Sequence, residues 1–209
     1  MITGFELGGS TGHPRLGDRV RRLYFSLLYA RRSDPWNYET CEYNREKYEI
    51  TLRALGEERL NRALEVGCSI GVFTAMLADR SDHTLAIDVA PAAVVRARRR
   101  LRDRDGVQVR RAALPEWTPP GRFDAIVCSE VLYYLTPEAM IKSFHVLERS
   151  LLPGGKIVAV HRRGKGRSAP LHGDRVHDLL IEHTRNVHAY SETHERFRLD
   201  RFDAPMSFN

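Results

Sequence analysis

The segment from Glu65 to Gly71 could form a binding loop of the kind that joins a strand to a helix. A short apolar run ends at Val66, and a helical pattern begins at Val72. Two glycines let this loop turn tightly and approach a ligand closely. Ser69 stands where the dinucleotide fingerprint has its second glycine, so the loop does not predict a pyrophosphate site. Alone, it is equally compatible with an ordinary turn between a strand and a helix.

Asp88 ends the next predicted strand and strengthens the ligand interpretation. A carboxylate in that place can accept two hydrogen bonds from the hydroxyls of a ribose, and it would repel a 2′-phosphate. The alternative is a structural role, in which Asp88 caps the helix that begins near Pro91. Together with the preceding loop, Asp88 predicts a site for a ligand that carries a free ribose.

A third segment brings polar and aromatic side chains to the same predicted edge. The strand from Phe123 to Ser129 runs directly into Glu130 and Tyr133. Asp124 starts this strand at the far end, so we expect it to be structural. The carboxyl ends of parallel strands form the ligand-binding edge of an open α/β sheet. The segment after Ser129 therefore predicts the place where a second reactant approaches.

Several side chains could move a proton or orient that reactant: Glu130, His161, His172, Asp174 and His177. His161 ends a predicted strand, so we expect it to face the site. Asp174 and His177 are spaced i and i+3 and share one face of a predicted helix. Structural alternatives remain, since Asp174 could cap that helix and His177 could be a surface residue.

The elements that must position these residues follow from hydrophobic periodicity and turn signals. Helices are predicted at 17–31, 43–55, 72–79, 92–102, 137–151 and 174–183, and strands at 63–66, 84–88, 107–111, 123–129, 156–161, 187–192 and 197–203. The segment from Leu151 to Gly155 is predicted to be a tight turn. In the first helix, an apolar side is predicted to carry Val20, Leu23, Tyr24, Leu27 and Leu28.

Strands that alternate with helices predict an α/β fold with a doubly wound, mostly parallel sheet of seven strands. The length of 209 residues fits one such domain. We divide the chain into a flexible N-terminus at 1–16, a helical lid at 17–56 and the main domain at 57–209. The aromatic residues grouped in the lid could cover a ligand, or they could pack as an ordinary helix pair.

Composition restricts the class of protein further. The net charge is +6, but the basic residues are spread along the chain, which favours solvated faces over a nucleic-acid surface. The three cysteines show no metal-ligand spacing and suit a cytoplasmic protein. No apolar run predicts a membrane span, and no secretion signal is predicted at the N-terminus.

Together, these motifs resemble those of class I methyltransferases, which use S-adenosylmethionine (SAM) and release S-adenosylhomocysteine (SAH). The resemblance covers roughly residues 63–160 and implies a Rossmann-like fold. It also implies that the loop from Gly67 to Gly71 passes the methionine part of SAM and that Asp88 holds its ribose. Many members contact adenine through an aspartate after the third strand, but Ala113 occupies that position here, so Leu114, Trp117 or the backbone would substitute.

A narrower resemblance is to the nodulation protein S family. Its motifs are Leu28-Tyr29-Ala30, Asp34-Pro35-Trp36, Tyr43, Lys47-Tyr48, Leu64 to Gly71, Ser129 to Leu135, and Gly173 to His177. Members named for the family N-methylate the terminal glucosamine of chitin-oligosaccharide signals. The arginine-rich segment before Leu23 is not part of this resemblance.

The resemblance and the residues together give a full set of expected site residues. The cofactor contacts are expected at Trp36, Tyr43, Tyr48, Glu65, Gly67, Cys68, Ser69, Gly71, Asp88, Ala113, Leu114, Ser129 and Glu130. The catalytic candidates are Glu130, His161, Asp174 and His177. The substrate contacts are expected at Tyr133, Tyr134, His161 and Arg163, and no metal site is expected.

We therefore predict a SAM-dependent methyltransferase that acts on a small molecule, with the amine of an amino sugar or oligosaccharide as the favoured acceptor. O-methylation of a sugar or secondary metabolite is the nearest alternative. An RNA methyltransferase is less favoured, because Ser129-Glu130-Val131-Leu132 replaces the Asn/Asp-Pro-Pro-aromatic motif of enzymes that methylate base amines. A protein that binds SAM without turnover is a further alternative. No nucleic-acid or membrane partner is expected.

Overall fold

The computed structural model describes residues 16–164 and 169–206. The predicted flexible segment at 1–16 lies outside this range except for its last residue. Six α-helices occupy α1 Leu16–Arg31, α2 Glu42–Ala54, α3 Val72–Ala78, α4 Pro91–Arg100, α5 Pro137–Glu148 and α6 Gly173–His183. Seven strands occupy β1 Leu60–Val66, β2 Ser81–Asp88, β3 Val107–Arg111, β4 Phe123–Ser129, β5 Leu151–Arg162, β6 Val187–Thr193 and β7 Phe197–Asp203.

The strands form one sheet in the order β3-β2-β1-β4-β5-β7-β6. The first five in this order are parallel, and β7 runs antiparallel to both β5 and β6. The strand order reverses between β1 and β4, so the two loops that follow these strands diverge and leave a crevice. This topology, together with the structural relative described below, confirms the predicted doubly wound, mostly parallel fold.

Apolar side chains on the two faces of the sheet pack against two separate layers of helices. Ile157 and Ala159 of β5 pack in the cluster that contains residues of α5 and α6. Val158 and Val160 pack in the cluster of α2 and α3. This alternation is the period of two that a strand imposes, and it explains why strands covered on both faces read as continuous apolar runs.

The segment from Leu151 to Gly155 corrects a prediction, because it begins β5 instead of forming a tight turn. Leu151 pairs with Phe123, and the register then shifts before Ala125 pairs with Lys156. A Cβ atom on Gly155 would lie 2.9 Å from the Phe123 carbonyl oxygen. The glycine therefore marks an irregular strand in which two backbones approach closely.

Helix α1 does not pack on the domain through its predicted apolar side. Four of its apolar residues, Val20, Leu23, Tyr24 and Leu27, are exposed. The helix instead packs through an adjacent face, on which Tyr29 is buried against α4 and the loop after β1. Only one stripe of an isolated covering helix can contact the domain, and here that stripe is aromatic and basic.

Among the described residues, no helix is long and apolar enough to cross a membrane.

Candidate active site

The loop after β1 is tied to the end of β2 by backbone hydrogen bonds. The amides of Gly67 and Cys68 both donate to the carbonyl oxygen of Ile87, at 2.8 and 2.9 Å. Gly67 has φ +82°, and a Cβ atom there would lie 3.0 Å from the side chain of Val131. Both features require glycine, since other residues are strained at this φ and would meet the loop after β4.

Asp88 holds this loop from the other side. One carboxylate oxygen accepts the amide of Ser69 at 2.9 Å, and the other accepts the amide of Ala90 at 2.9 Å. Burial raises the pKa of Asp88, although the backbone hydrogen bonds oppose the rise. Two acceptor oxygens carry more lone pairs than two amides use, so the carboxylate can still accept hydrogen bonds from a ligand.

A cavity opens above Asp88, between the ends of β1, β2 and β4. Its walls are the loop after β1, the segment Ala112 to Leu114 after β3, the segment after β4, and residues of α1 and the connection to α2. Of the expected site residues, this cavity brings together Trp36, Gly67, Ser69, Asp88, Ala113, Leu114, Glu130 and Tyr134. Mostly apolar walls with a few charged side chains, among them Asp88 and Glu130, are the type of lining that binds a small organic ligand.

Helix α1 closes one side of the cavity through specific contacts. The hydroxyl of Tyr29 lies 2.5 Å from the hydroxyl of Ser69, and Phe25 packs edge-to-face on Tyr134 with ring centroids 4.7 Å apart. An ion pair of 2.6 Å joins Arg22 to Glu116 across the mouth. The amphipathic helix is therefore fixed to the wall at three points.

Glu130 stands at the opposite wall in an uncommon backbone conformation, with φ +54°. Its carboxylate accepts Lys47 Nζ at 2.6 Å, the Tyr133 hydroxyl at 2.5 Å and the Arg162 amide at 3.1 Å. Burial and the proximity of Glu130 raise the pKa of Tyr133 well above its ordinary value, so the phenol keeps the proton it donates. The carboxylate is thereby held rigidly at the cavity wall.

A second, smaller hollow adjoins the cavity beneath the loop after β1. It is lined by Tyr38, Tyr48, Glu65, Gly67, Cys68, Ser69, Val72, Phe73 and Ser129. Glu65 is buried and accepts the Thr74 hydroxyl at 2.5 Å. Burial raises the pKa of Glu65 to about 7. Four more of the expected residues (Tyr48, Glu65, Cys68 and Ser129) therefore lie beside the main cavity.

The two predicted histidines do not line either space, which corrects the expectation that His161 faces the site. Both His161 and His177 are fully buried between the sheet and α6. His161 lies on the same face of β5 as Ile157 and Ala159, and α6 covers this face. His177 is on the buried side of α6, which packs on that face. Both rings thus lie behind the segment after β4, where they cannot contact a ligand in the cavity.

Five more expected residues lie outside the two spaces. Arg163 and Asp174 form an ion pair of 3.0 Å at the surface, and each side chain is more than a third exposed. Tyr43 packs on Phe197 and lies beneath the guanidinium of Arg196, while Tyr133 contributes only its hydroxyl to Glu130. Gly71 immediately precedes α3 and lines neither space.

Some residues that line the site were not selected from the sequence. Tyr29 and Lys47 are buried at its edge, and Phe25 and Arg22 face the cavity. A buried lysine is rarely stable unless its charge is paired, so its presence indicates a nearby carboxylate. Sequence spacing gives no signal for the Lys47–Glu130 pair, because the two residues come from elements far apart in the chain.

Gly71 supports packing, and this role gives a prediction. It has φ +81°, and a Cβ atom there would lie 3.1 Å from Leu101 and 3.2 Å from Ala97 on α4. Gly164 has the same φ, but a Cβ atom there would meet nothing within 4 Å. In urea unfolding, Gly164→Ala should cost about 1 kcal/mol from backbone strain alone. Gly71→Ala should cost about 1–3 kcal/mol more, and equal losses would contradict the packing role.

Comparison with known proteins identifies the family to which the chain belongs. The family model described as Nodulation protein S (NodS) matches residues 20–159. The chain belongs to the nodulation protein S family. The predicted family resemblance is therefore confirmed, and the NodS-type match includes both the loop after β1 and the segment after β4.

Individual relatives agree with the assignment to the NodS family. Nodulation protein S of Sinorhizobium fredii (strain NBRC 101917 / NGR234) is 35% identical over 127 residues, which are 60% of this chain and 59% of that protein. The crystal structure of N-methyltransferase NodS from Bradyrhizobium japonicum WM9, in complex with SAH, is 26% identical with a TM-score of 0.77, and the match covers 88% of this chain and 98% of that one.

More distant curated relatives include O-methyltransferases. The ubiquinone biosynthesis O-methyltransferase of Xylella fastidiosa (strain 9a5c) is 35% identical over 100 residues, which are 46% of this chain and 39% of that protein. This NodS-family chain spans little more than half the length of the first curated relatives that it matches.

Proposed function

We propose that the protein is a SAM-dependent methyltransferase whose acceptor is the amine of an amino sugar or oligosaccharide. The observation that carries the proposal is the placement of Asp88 at the end of β2, buried at the floor of a cavity and beside the loop after β1. This is where an open α/β sheet holds the ribose of a nucleoside ligand. The SAH complex of the NodS relative supports SAM as that ligand.

The residues present fit the parts of SAM in order along the crevice. Asp88 has acceptor capacity for the ribose hydroxyls, and Val89, Ala112 and Leu114 provide an apolar surface for adenine. The hollow around Glu65 and Ser129 adjoins the cavity and would take the methionine end. No side chain of the kind that contacts the adenine amine stands at Ala113, so backbone atoms would make that contact.

SAM supplies a sulfonium methyl group, and transfer forms a nitrogen–carbon bond as the carbon–sulfur bond breaks. The acceptor nitrogen must be uncharged to attack, and an amine with a pKa of about 8 is mostly protonated near pH 7. Glu130 is the second carboxylate that lines the cavity, beside Asp88. Its carboxylate attracts the ammonium and accepts the proton that the amine loses, while the surrounding wall excludes water.

We further propose that residues 17–56 form a lid over the domain at 57–209. Tyr29, Phe25 and Trp36 line the cavity from this segment. Arg96 of α4 donates to the Tyr29 carbonyl oxygen at 2.6 Å and to that of Arg32 at 3.1 Å. The apolar side of α1 stays exposed while these contacts hold the helix over the cavity, which suits a cover that opens for exchange of ligands.

Replacement of Trp36 tests the lid. Trp36→Ala should weaken SAH binding about 10-fold, because an aromatic ring on a ligand contributes roughly 1–1.5 kcal/mol. Calorimetric titration measures the affinity, and thermal unfolding should change little, since Trp36 is partly exposed. Tyr43→Ala is the matched control, because Tyr43 belongs to the same segment but lies outside the cavity. Equal SAH affinity in the Trp36 variant and wild type would contradict the lid.

The proposed cofactor is tested by titration of the wild-type protein with SAM, SAH and NADPH. We expect dissociation constants in the micromolar range for SAM and SAH, and no binding of NADPH, because Asp88 would repel its 2′-phosphate. A protein that binds NADPH but not SAH would overturn the proposal.

O-methylation is the second candidate, because O-methyltransferases occur among the curated relatives. Removing the proton of a hydroxyl group requires a stronger base than removing the proton of an ammonium group does. Glu130 would have to serve as that base. The two candidates differ in their pH dependence. Transfer to an amine should rise with pH up to the amine pKa, whereas transfer to a hydroxyl should lack that rise.

A further inference from the structure

A row of buried polar side chains lies behind the cavity, and the proposed methyl transfer does not use it. The row consists of His161 on β5, His177 on α6 and Asp200 on β7, which are all fully buried. None of the three lines the cavity. Buried polar groups are costly unless each one is hydrogen-bonded, so the partners of this row define what it does.

The first bond of the row fixes the proton of His161. The amide of Leu132 donates to His161 Nε2 at 3.2 Å. Because a backbone amide can only donate, Nε2 must be unprotonated, and a neutral ring then carries its proton on Nδ1. Burial, followed by the proximity of His177 and Lys47, lowers the pKa of His161 well below its ordinary value. The ring therefore stays neutral.

The next two hydrogen bonds of the row connect His161 through His177 to the charged Asp200. His161 Nδ1 lies 3.2 Å from His177 Nε2, which must accept, so His177 carries its proton on Nδ1. That proton is donated to Asp200 at 2.6 Å. Burial opposes ionisation of Asp200, but hydrogen bonds from His177, Ser191 and His188 together lower its pKa below the ordinary value. An ionised carboxylate thus orients both rings.

We propose that His161, His177 and Asp200 are positioning residues that hold the segment from Glu130 to Tyr134 in its cavity-facing conformation. Leu132 begins the short 3-10 helix Leu132–Tyr134, so its amide has no acceptor within that helix. His161 supplies the acceptor two residues after Glu130, whose φ of +54° costs about 1–2 kcal/mol in a residue with a side chain. The row offsets that strain and fixes the direction of the carboxylate.

The tautomers of the two rings can be observed without any substrate. In ¹⁵N-labelled protein, histidine ring spectra should show the proton on Nδ1 for both His161 and His177, although an unconstrained ring favours Nε2. The ring pattern of His161 should not change between about pH 6 and pH 8, across the ordinary histidine pKa. The titratable or charged groups that face His161 are His177 from α6, Lys47 from α2, Asp200 from β7 and the ring of Tyr133. A proton on Nε2 of His161 would overturn the proposal.

Three variants separate positioning from a merely structural role. His161→Leu removes the acceptor for Leu132 at similar volume, and His161→Gln places an amide oxygen near the same point. His145→Leu is the control, because His145 lies 2.9 Å from the His183 carbonyl oxygen on the far side of α5. Circular dichroism checks that each variant is folded, and SAH titration checks the cofactor site.

The effect on turnover rests on the proposed function and is measured with a chitin tetramer that carries a free amine on its terminal sugar. His161→Leu should lower kcat about 10- to 100-fold, since misplacing a reacting group by about 1 Å has an effect of this size. KM for SAM should change less than about 3-fold, and His161→Gln should restore much of kcat. A folded His161→Leu variant with wild-type kcat would overturn the proposal.

An error in the proposed function can be distinguished from an error in the positioning proposal. If wild-type protein binds SAH but does not methylate the tetramer, the choice of acceptor is wrong. The ring spectra then decide the positioning proposal independently. Nδ1 protons in the wild type, and a displaced Leu132 amide signal in His161→Leu but not in His161→Gln, would support it. An unmoved Leu132 signal in His161→Leu would contradict it.

Discussion

Replacing Asp88 by asparagine is expected to weaken SAH binding about 100-fold. The carboxylate is buried and accepts the amides of Ser69 and Ala90 while facing the cavity. Each charge-assisted hydrogen bond to a ribose hydroxyl contributes about 1.5–3 kcal/mol, so the loss of the charge and of one acceptor removes roughly 3 kcal/mol. Calorimetric titration of the variant with SAH measures the change.

Asparagine also turns an NH₂ group toward one of those backbone amides, so the variant should lose about 1–2 kcal/mol of unfolding free energy. Asp124→Asn is the matched control, because Asp124 accepts the Arg62 amide at 2.6 Å at the opposite end of the sheet. It should lose similar stability and keep wild-type affinity for SAH. Similar affinity losses in both variants would show that the Asp88 effect comes from destabilisation and not from the ribose contact.

Glu130→Gln is expected to lower kcat by at least about 100-fold with the amine acceptor, with little effect on SAH affinity. Glutamine keeps the size of the side chain but can neither attract an ammonium strongly nor accept its proton, and general-base contributions are about 10²–10⁴-fold. The substitution also leaves Lys47, which is paired with Glu130 at 2.6 Å, without its counter-charge. Steady-state kinetics with saturating SAM measures kcat.

The control for this variant is Glu148→Gln. Glu148 is a buried carboxylate that accepts the Thr184 hydroxyl at 2.8 Å and the Arg185 amide at 2.7 Å, away from the cavity. Its loss should lower stability by about 1–3 kcal/mol and leave kcat unchanged. If Glu130→Gln turns over at the wild-type rate, Glu130 neither binds nor deprotonates the acceptor.

Most of the residues that the structure brings together around Asp88 could be chosen from the sequence because this part of the site is local. The loop after β1 and Asp88 lie at the ends of two adjacent parallel strands, and parallel strands bring their carboxyl ends to one edge. The bounds of most elements follow from periodicity for the same reason. The irregular start of β5 was missed, because a close approach of two backbones at Gly155 has the same sequence signal as a tight turn.

The orientation of the two histidines could not be predicted from the sequence. A residue at the carboxyl end of a strand can point to either face of the sheet, and the face depends on the register of the whole strand. His161 shares its face with Ile157 and Ala159, which α6 covers. The sequence shows this alternation but not which helix covers which face. Periodicity likewise finds the apolar stripe of α1 but not what covers it, and in the structure this stripe is exposed.

Long-range pairs between charges were also beyond prediction. Lys47 and Glu130 come from α2 and the segment after β4, and only the packing of the lid segment on the sheet brings them together. The burial of Lys47 indicates that a carboxylate lies nearby, but this burial is known only from the structure. Contacts of this kind depend on the tertiary arrangement and not on spacing.

The central claim is transfer of a methyl group from SAM to an amine, and mass spectrometry tests it most directly. Wild-type protein is incubated with SAM and two chitin tetramers, one with a free amine on its terminal sugar and one fully N-acetylated. We expect the free-amine tetramer to gain the mass of one CH₂ group, because a methyl group replaces a proton on nitrogen, and the acetylated tetramer to stay unchanged. Methylation of both tetramers, or of a hydroxyl in either, would contradict the claim.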